Sequence, residues 1–230
     1  MKDTQLSPDA VIGILALQGA FAEHQVMLKK NCGKRQLDVI QVRTPEELKL
    51  CDALIIPGGE STTMGLLAKI SGLIEPLREY VKTKPVWGTC AGAILLSQAI
   101  SNPKKGGQEL VGGVSVKITR NGWGSQVESF EAPLQVSGLR DAHIPFPGVF
   151  IRAPVVAELL SAASELHTHV ISRIPDSLLP RSSLDEGPDR AIVALRQGRH
   201  LLTTFHPELT FDSRFHEYFV HECVLPSLAP

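Results

Sequence analysis

The chain has 230 residues, with 23 Lys+Arg against 24 Asp+Glu for a net charge of −1, and 43% of it is hydrophobic. That balance offers no basic tract to neutralise a run of phosphates, so no nucleic acid is expected as a partner. The most apolar early stretch, residues 11–17, falls far short of the ~20 residues a spanning helix needs, so no membrane is expected either, and a cytoplasmic location is.

Residues 1–10 are polar and read as a flexible N-terminal tail. Apolar runs then alternate with amphipathic stretches: a buried strand at 11–17, a helix at 21–30, a strand at 37–42, and a helix opened by Pro45 and running to residue 50. A third strand at 53–56 ends at Pro57-Gly58-Gly59, helices follow at 62–70 and 74–81, and a short strand at 85–89 ends on Cys90. Strand and helix in this rhythm predict an α/β domain around a parallel central sheet. Beyond residue 107 the pattern changes to strands at 110–119, 126–136 and 148–151, several of them expected to pair antiparallel. Residues 174–189 carry three prolines and no periodicity and read as an exposed loop, inserted in the surface. Strands at 191–195 and 200–204 close the sheet, and Phe211, Phe215 and Phe219, spaced by four, predict a final helix over 211–223. No linker divides the chain, so 11–227 is expected to be a single domain.

The four cysteines, Cys32, Cys51, Cys90 and Cys223, form no C-x-x-C pair. Neither a zinc site nor a redox pair is implied, and no metal or cofactor is expected. Three of them read as small buried hydrophobes. Cys90 differs. It ends a strand, is flanked by Gly88 and Gly92, and precedes an apolar run. A sharp strand-to-helix turn of this kind lifts one side chain above the sheet, and only small neighbours tolerate the crowding. The helix N-terminus that follows favours the reactive thiolate. Alone, the segment also suits a core cysteine beside a tight turn, so a base must come from elsewhere.

Phe205-His206-Pro207-Glu208 supplies one. Residues two apart in extended chain share a face, and Pro207 biases His206 away from helix, so Glu208 can orient the imidazole while its other nitrogen serves Cys90. Pro57-Gly58-Gly59-Glu60-Ser61-Thr62-Thr63, at a strand's carboxyl end, can aim backbone N–H groups at a developing oxyanion, with Ser61 or Thr62 as an ordinary helix cap. It lacks the G-K-[ST] ending of a phosphate loop. Leu17-Gln18-Gly19-Ala20-Phe21 makes a similar turn after the first strand.

These segments resemble the Pdx2/SNO family, the glutaminase subunits of pyridoxal 5′-phosphate synthase within the class I glutamine amidotransferases. The markers are residues 15–21 with Glu23-His24, then 57–63, 88–92, Arg120-Asn121 through Ser129-Phe130-Glu131, 150–154 and 205–208. The cysteine turn and His-Pro-Glu mark only the wider class; the other segments narrow it. The resemblance implies a three-layer, flavodoxin-like fold, a mostly parallel sheet with antiparallel additions, and a triad on Cys90, His206 and Glu208. It implies glutamine bound by Gly58, Gly59, Glu60, Ser61, Arg120, Ile151 and Arg152, with an oxyanion hole at Gly59 and Ala91. It implies a Pdx1-type synthase partner that receives the ammonia, with Gln18, Gly19, Ala20 and Phe21 coupling the two subunits. Trp123 and Ser125 depart from the family's usual pattern. The alternatives are a subunit serving another synthase, a catalytically silent scaffold, and a stand-alone cysteine hydrolase.

Overall fold

A computed structural model describes residues 9–31, 36–101, 103, 107–120, 122, 129–161, 167–179 and 187–228. Residues 1–8 of the expected 1–10 tail, Cys32, Asn121, Trp123, Ser125 and the centre of the expected 174–189 loop lie outside the described residues. Asp9, by contrast, donates its N–H to the Gln36 carbonyl and Ala10 is buried as the first residue of the first strand, so neither belongs to a tail.

The first half follows the predicted alternation: β1 (Ala10–Leu15), α1 (Phe21–Asn31), β2 (Leu37–Val42), α2 (Pro45–Lys49), β3 (Ala53–Ile56), α3 (Ser61–Ile70), α4 (Ile74–Thr83), β4 (Val86–Thr89) and α5 (Ala91–Leu96). Local chemistry sets several of these bounds. Thr44 and Glu47 form a reciprocal capping box ahead of α2, with Pro45 in its first turn. Glu60, and not Ser61 or Thr62 as expected, caps α3, because its longer carboxylate reaches the Thr63 N–H and accepts from it. The second half holds β5 (Ser97–Ser101), β6 (Val114–Thr119), β7 (Ser129–Leu134), β8 (Phe146–Ile151), β9 (Val155–Leu159), β10 (Thr168–Arg173), β11 (Ile192–Gln197) and β12 (His200–Thr203). The chain closes with α6 (Arg214–Tyr218), a π-helical turn at Phe219–Val224, and α7 (Leu225–Leu228).

The central sheet has seven strands in the order β10-β11-β12-β4-β3-β1-β2. Strands β2, β1, β3, β4 and β12 run parallel, while β11 and β10 add antiparallel pairs at one edge. The five parallel strands thus follow the flavodoxin-like succession, in which ligands gather beyond the strands' carboxyl ends. Because both faces are covered, β3 and β4 are buried at every position. One apolar cluster, built on Trp87, Phe146, Phe205, Phe215 and Phe219, packs the α1, α6 and β7–β8 side. The other, with Met64, Leu77, Ile94, Val116 and Val156, packs α3, α4, α5 and the small β5-β6-β9 sheet on the opposite side.

Three expectations shift. The strand read at 110–119 begins only at Val114, because Gly112 and Gly113 take positive φ and turn the chain first. The 174–189 loop starts one residue late: Ile174 is buried and its N–H donates to the Ala191 carbonyl, which continues the sheet, and a 3₁₀ turn follows at Asp176–Leu178. The final helix begins at Arg214 rather than 211, and Phe211 is fully exposed. The Asp212 carboxylate accepts from both the N–H and the guanidinium of Arg214, closing a local turn that keeps 211–213 out of the helix.

Candidate functional site

Four parallel strands end on one rim: β1 runs toward the 18–21 turn, β3 into Pro57-Gly58, β4 into Cys90, and β12 toward His206. Cys90 sits between β4 and α5 at φ 46°, ψ −104°, in the strained left-handed region that few side chains enter. Its N–H donates to the Thr203 carbonyl of β12 at 2.9 Å, which pins the turn to the neighbouring strand. The flanking glycines are required here. A Cβ on Gly92 would collide with the Ile56 carbonyl of β3, and one on Gly88 would sit 2.5 Å from the Gly92 oxygen. Cys90 is 6% exposed, so its thiol sits in a nearly water-free setting at the mouth of the sheet.

His206 reaches the thiol from the end of β12. Its N–H donates to the Val149 carbonyl of β8 at 2.8 Å, holding the backbone extended ahead of Pro207. Its Nδ1 lies 2.8 Å from Glu208 Oε1. Burial alone would pull the imidazole's pKa down, but its interactions with Cys90 and Glu208 outweigh that and push it up to about 10. The ring is therefore an imidazolium at neutral pH, between a sulfur and a buried carboxylate. Gly58 closes over this pair; a Cβ there would meet the His206 ring and lie 3.4 Å from Cys90 Cβ.

The two glycine-rich turns interlock. Ala20 N–H donates to the Gly58 carbonyl at 3.0 Å, and Glu60 N–H donates to Gln18 Oε1 at 2.8 Å. Gly19, at φ 102°, passes so close to the Gly58 carbonyl that any side chain would clash. Beside them Arg120 pairs with Glu60 Oε1 at 2.8 Å and donates to Gln108 Oε1 at 3.1 Å, while Ser61 Oγ lies 3.4 Å from the same Gln108 oxygen. Glu60, Ser61 and Arg120 thus come together, and Gln108 joins them. The sequence passes over Gln108, which carries no motif. Its Nε2 is buried with no partner among the described residues. Ala91 is the first residue of α5 and directly follows the thiol. Ile151 and Arg152 are exposed at the end of β8, two and three residues past the carbonyl that holds His206, and Arg152 turns the backbone at φ 44°.

Behind Glu208 lies a second layer. His24 of α1 is fully buried, with Nε2 3.4 Å from Glu208 Oε2 and 3.2 Å from Thr89 Oγ1, and with Nδ1 2.9 Å from His216 Nε2 of α6. Burial drives both imidazoles toward the neutral form, His24 well below its ordinary pKa and His216 to about 3. In the sequence His24 stands out only beside Glu23 in a family marker, and His216 not at all. Among the described residues no group of three or more His, Cys, Asp or Glu is arranged to hold a metal ion.

The SNO glutamine amidotransferase family profile matches residues 14–225. The pyridoxal 5′-phosphate synthase subunit PdxT of Herpetosiphon aurantiacus is 45% identical over 210 residues, covering 91% of this chain and 98% of its own. The probable pyridoxal 5′-phosphate synthase subunit PDX2 of Arabidopsis thaliana is 43% identical over 223 residues, covering 91% and 84%. A solved structure described as a glutamine amidotransferase is 40% identical with a TM-score of 0.71, covering 91% of this chain and 96% of that one. At 13% identity and a TM-score of 0.58, the structure of PurLQS from Thermotoga maritima shares the fold alone, over 94% of this chain and 99% of that one.

Proposed function

The chain belongs to the SNO glutamine amidotransferase family, and from that premise we propose that it is the glutaminase subunit of a pyridoxal 5′-phosphate synthase, hydrolysing L-glutamine to L-glutamate and ammonia. The observation that carries the chemistry is the strained Cys90 turn facing an imidazole whose Nδ1 is 2.8 Å from a buried carboxylate.

Cys90 is the nucleophile, His206 the acid and base, and Glu208 the group that orients and charges the imidazole. The thiolate attacks the side-chain amide carbon of glutamine, and N–H groups at Gly59 and Ala91 stabilise the tetrahedral oxyanion. His206, already protonated, gives its proton to the departing nitrogen, which leaves as ammonia and a glutamyl thioester on Cys90. The same ring then takes a proton from water as the water attacks the thioester, releasing glutamate and regenerating the thiolate. Gly58, Gly59, Glu60, Ser61, Arg120, Ile151 and Arg152 hold glutamine, with Arg120 and Glu60 already paired at one wall of the site.

The ammonia passes to a Pdx1-type synthase subunit. Gln18, Gly19, Ala20 and Phe21 couple the two proteins, because this turn is bonded to the Gly58–Glu60 turn and a partner touching one must disturb the other. The location we assign is the cytoplasm: Cys51, Cys90 and Cys223 are all free thiols, which suits a reducing compartment. Among the described residues no helix is long and apolar enough to cross a membrane.

Glutamate release from glutamine, measured with and without a Pdx1-type synthase, tests the reading. Release should rise strongly in the complex, and Cys90→Ala should lose it by at least about 10⁴-fold while keeping its melting temperature. Silence of the wild-type complex, or turnover surviving in Cys90→Ala, would overturn it.

A further inference from the structure

We infer that His24, with His216 behind it, is a positioning residue that holds Glu208, and through it His206, in register with Cys90. The inference rests on the glutaminase reading and extends the triad inward by two buried imidazoles. Glu208 Oε1 is taken by His206, while Oε2 is buried without a hydrogen bond among the described residues, and His24 Nε2 stands 3.4 Å from it.

One tautomer pattern satisfies this arrangement. If His24 carries its hydrogen on Nε2, that N–H faces both the Glu208 carboxylate and Thr89 Oγ1, and Nδ1 is left to accept from the His216 Nε2–H at 2.9 Å. His216 Nδ1 then bears no hydrogen, which fits its lack of a partner among the described residues. The opposite pattern would turn a lone pair of His24 toward a carboxylate and leave a buried N–H on His216 unmade, so it is disfavoured on both counts. The pattern needs both rings neutral, and burial holds them so.

Packing alone does not call for two imidazoles here. His24 and His216 stand edge-on to Trp87, at ring distances of 5.4 and 4.9 Å, beside a cluster made mostly of Phe and aliphatic side chains. An apolar side chain would fill the same space without the cost of desolvating a ring nitrogen. What the imidazole adds is a donor aimed at the second oxygen of the carboxylate. Metal and triad histidines are commonly fixed by such outer partners, and here the same device acts one residue further back.

The test compares His24→Leu, which keeps bulk and removes the donor, with His24→Gln, whose amide nitrogen can stand near the Nε2 position. Both are assayed for glutamate release in the complex with the Pdx1-type synthase. His24→Leu should lower kcat about tenfold, the effect of leaving a buried carboxylate oxygen without a donor, with KM moving less than about twofold. His24→Gln should restore kcat to within about threefold of wild type. In a Glu208→Gln background the Leu substitution should add almost nothing, because His24 acts through Glu208. Wild-type kcat in His24→Leu, equal losses in Leu and Gln, or additive loss with Glu208→Gln would each overturn the inference. A readout independent of turnover separates this from the functional reading: the rate at which iodoacetamide alkylates Cys90, followed by mass spectrometry of the 90-containing peptide. It should slow several-fold in His24→Leu and recover in His24→Gln even if the wild-type complex releases no glutamate; an unchanged rate in His24→Leu would count against the positioning role.

Discussion

At the scale of single residues, His206 is where burial and charge compete and charge wins. Desolvation opposes its protonation, yet Cys90 and Glu208 hold the proton up to about pH 10 against an ordinary 6.5. A raised pKa in the folded state means that this group's contribution to stability is complete below about 6.5 and lost as pH rises through about 10. Under the proposed mechanism catalysis inherits the same window, because there the leaving nitrogen takes its proton from this ring. Glutamate release should hold through neutral pH and fall toward pH 10. In Glu208→Gln, with one of the two raising partners neutralised, the fall should come at lower pH. Glu208→Gln should also cost on the order of 10²-fold less in kcat than His206→Ala, as expected for an orienting carboxylate compared with the base itself. A pH profile of kcat for the three proteins decides it: an alkaline limb unmoved by Glu208→Gln, or equal losses in the two variants, would deny Glu208 that role. Cys90, His206 and Glu208 were all legible in the sequence because the nucleophile turn and the extended His-Pro-Glu each carry a local geometric signature. His24, His216 and Gln108 were not, since a buried partner brought from another element leaves no local signature.

At the scale of elements, apolar periodicity located most strands and helices but misread two kinds of place. One is where a polar side chain overrides the pattern. Phe211, Phe215 and Phe219 share a spacing of four, yet only Phe215 and Phe219 are buried, because Asp212 folds back on Arg214. The Arg214 guanidinium also donates to the carbonyls of Asp141, Ile144 and Pro145, tying the start of α6 to the chain ahead of β8. Phe215→Ala should therefore cost about 3–5 kcal/mol, since the ring packs against Trp87, Phe146 and Phe205. Phe211→Ala should stay within about 0.5 kcal/mol of wild type. Urea unfolding of both variants checks the pair, and a comparable loss in Phe211→Ala would put that ring in a packed environment after all. The other kind of place is where no turn residue marks a boundary. Strand β5 follows α5 without a break, and its Ser-Gln-Ala-Ile-Ser sequence lacks the β-branched, alternating signal that identifies β2 or β6. Strands β9 and β10 also went unread, each being short and paired mainly with sequence-distant neighbours.

At the scale of the whole molecule, the parallel half was legible because a βα rhythm constrains both sheet order and the edge where ligands gather. The antiparallel additions were expected in kind, but the partners of β10 and the small second sheet were not read, since their pairing is set by contacts across long sequence separations. The completed fold also creates a pH response that no single motif announces. Burial depresses His24 strongly, His200 to about 4 and His216 to about 3, so each of these rings is neutral in the folded protein and must take up a proton when the chain unfolds in mild acid. For a depressed pKa the contribution to stability is complete above about 6.5 and is lost as pH falls toward 4 and 3, the reverse of His206. The two effects together place maximum stability near pH 6.5, between an acid side set by buried neutral rings and an alkaline side set by His206. His200 tests the acid side apart from the proposed active site. Its Nδ1 accepts from the Val86 N–H at 3.3 Å, and an Asn oxygen can take that role without titrating. His200→Asn should thus keep its stability near pH 7 and lose less of it in acid, flattening the slope between pH 6 and 4 by up to about 1.4 kcal/mol per unit. Denaturant unfolding at a series of pH values measures this directly, and an unaltered acid slope in His200→Asn would mean that the ring is already protonated inside the fold.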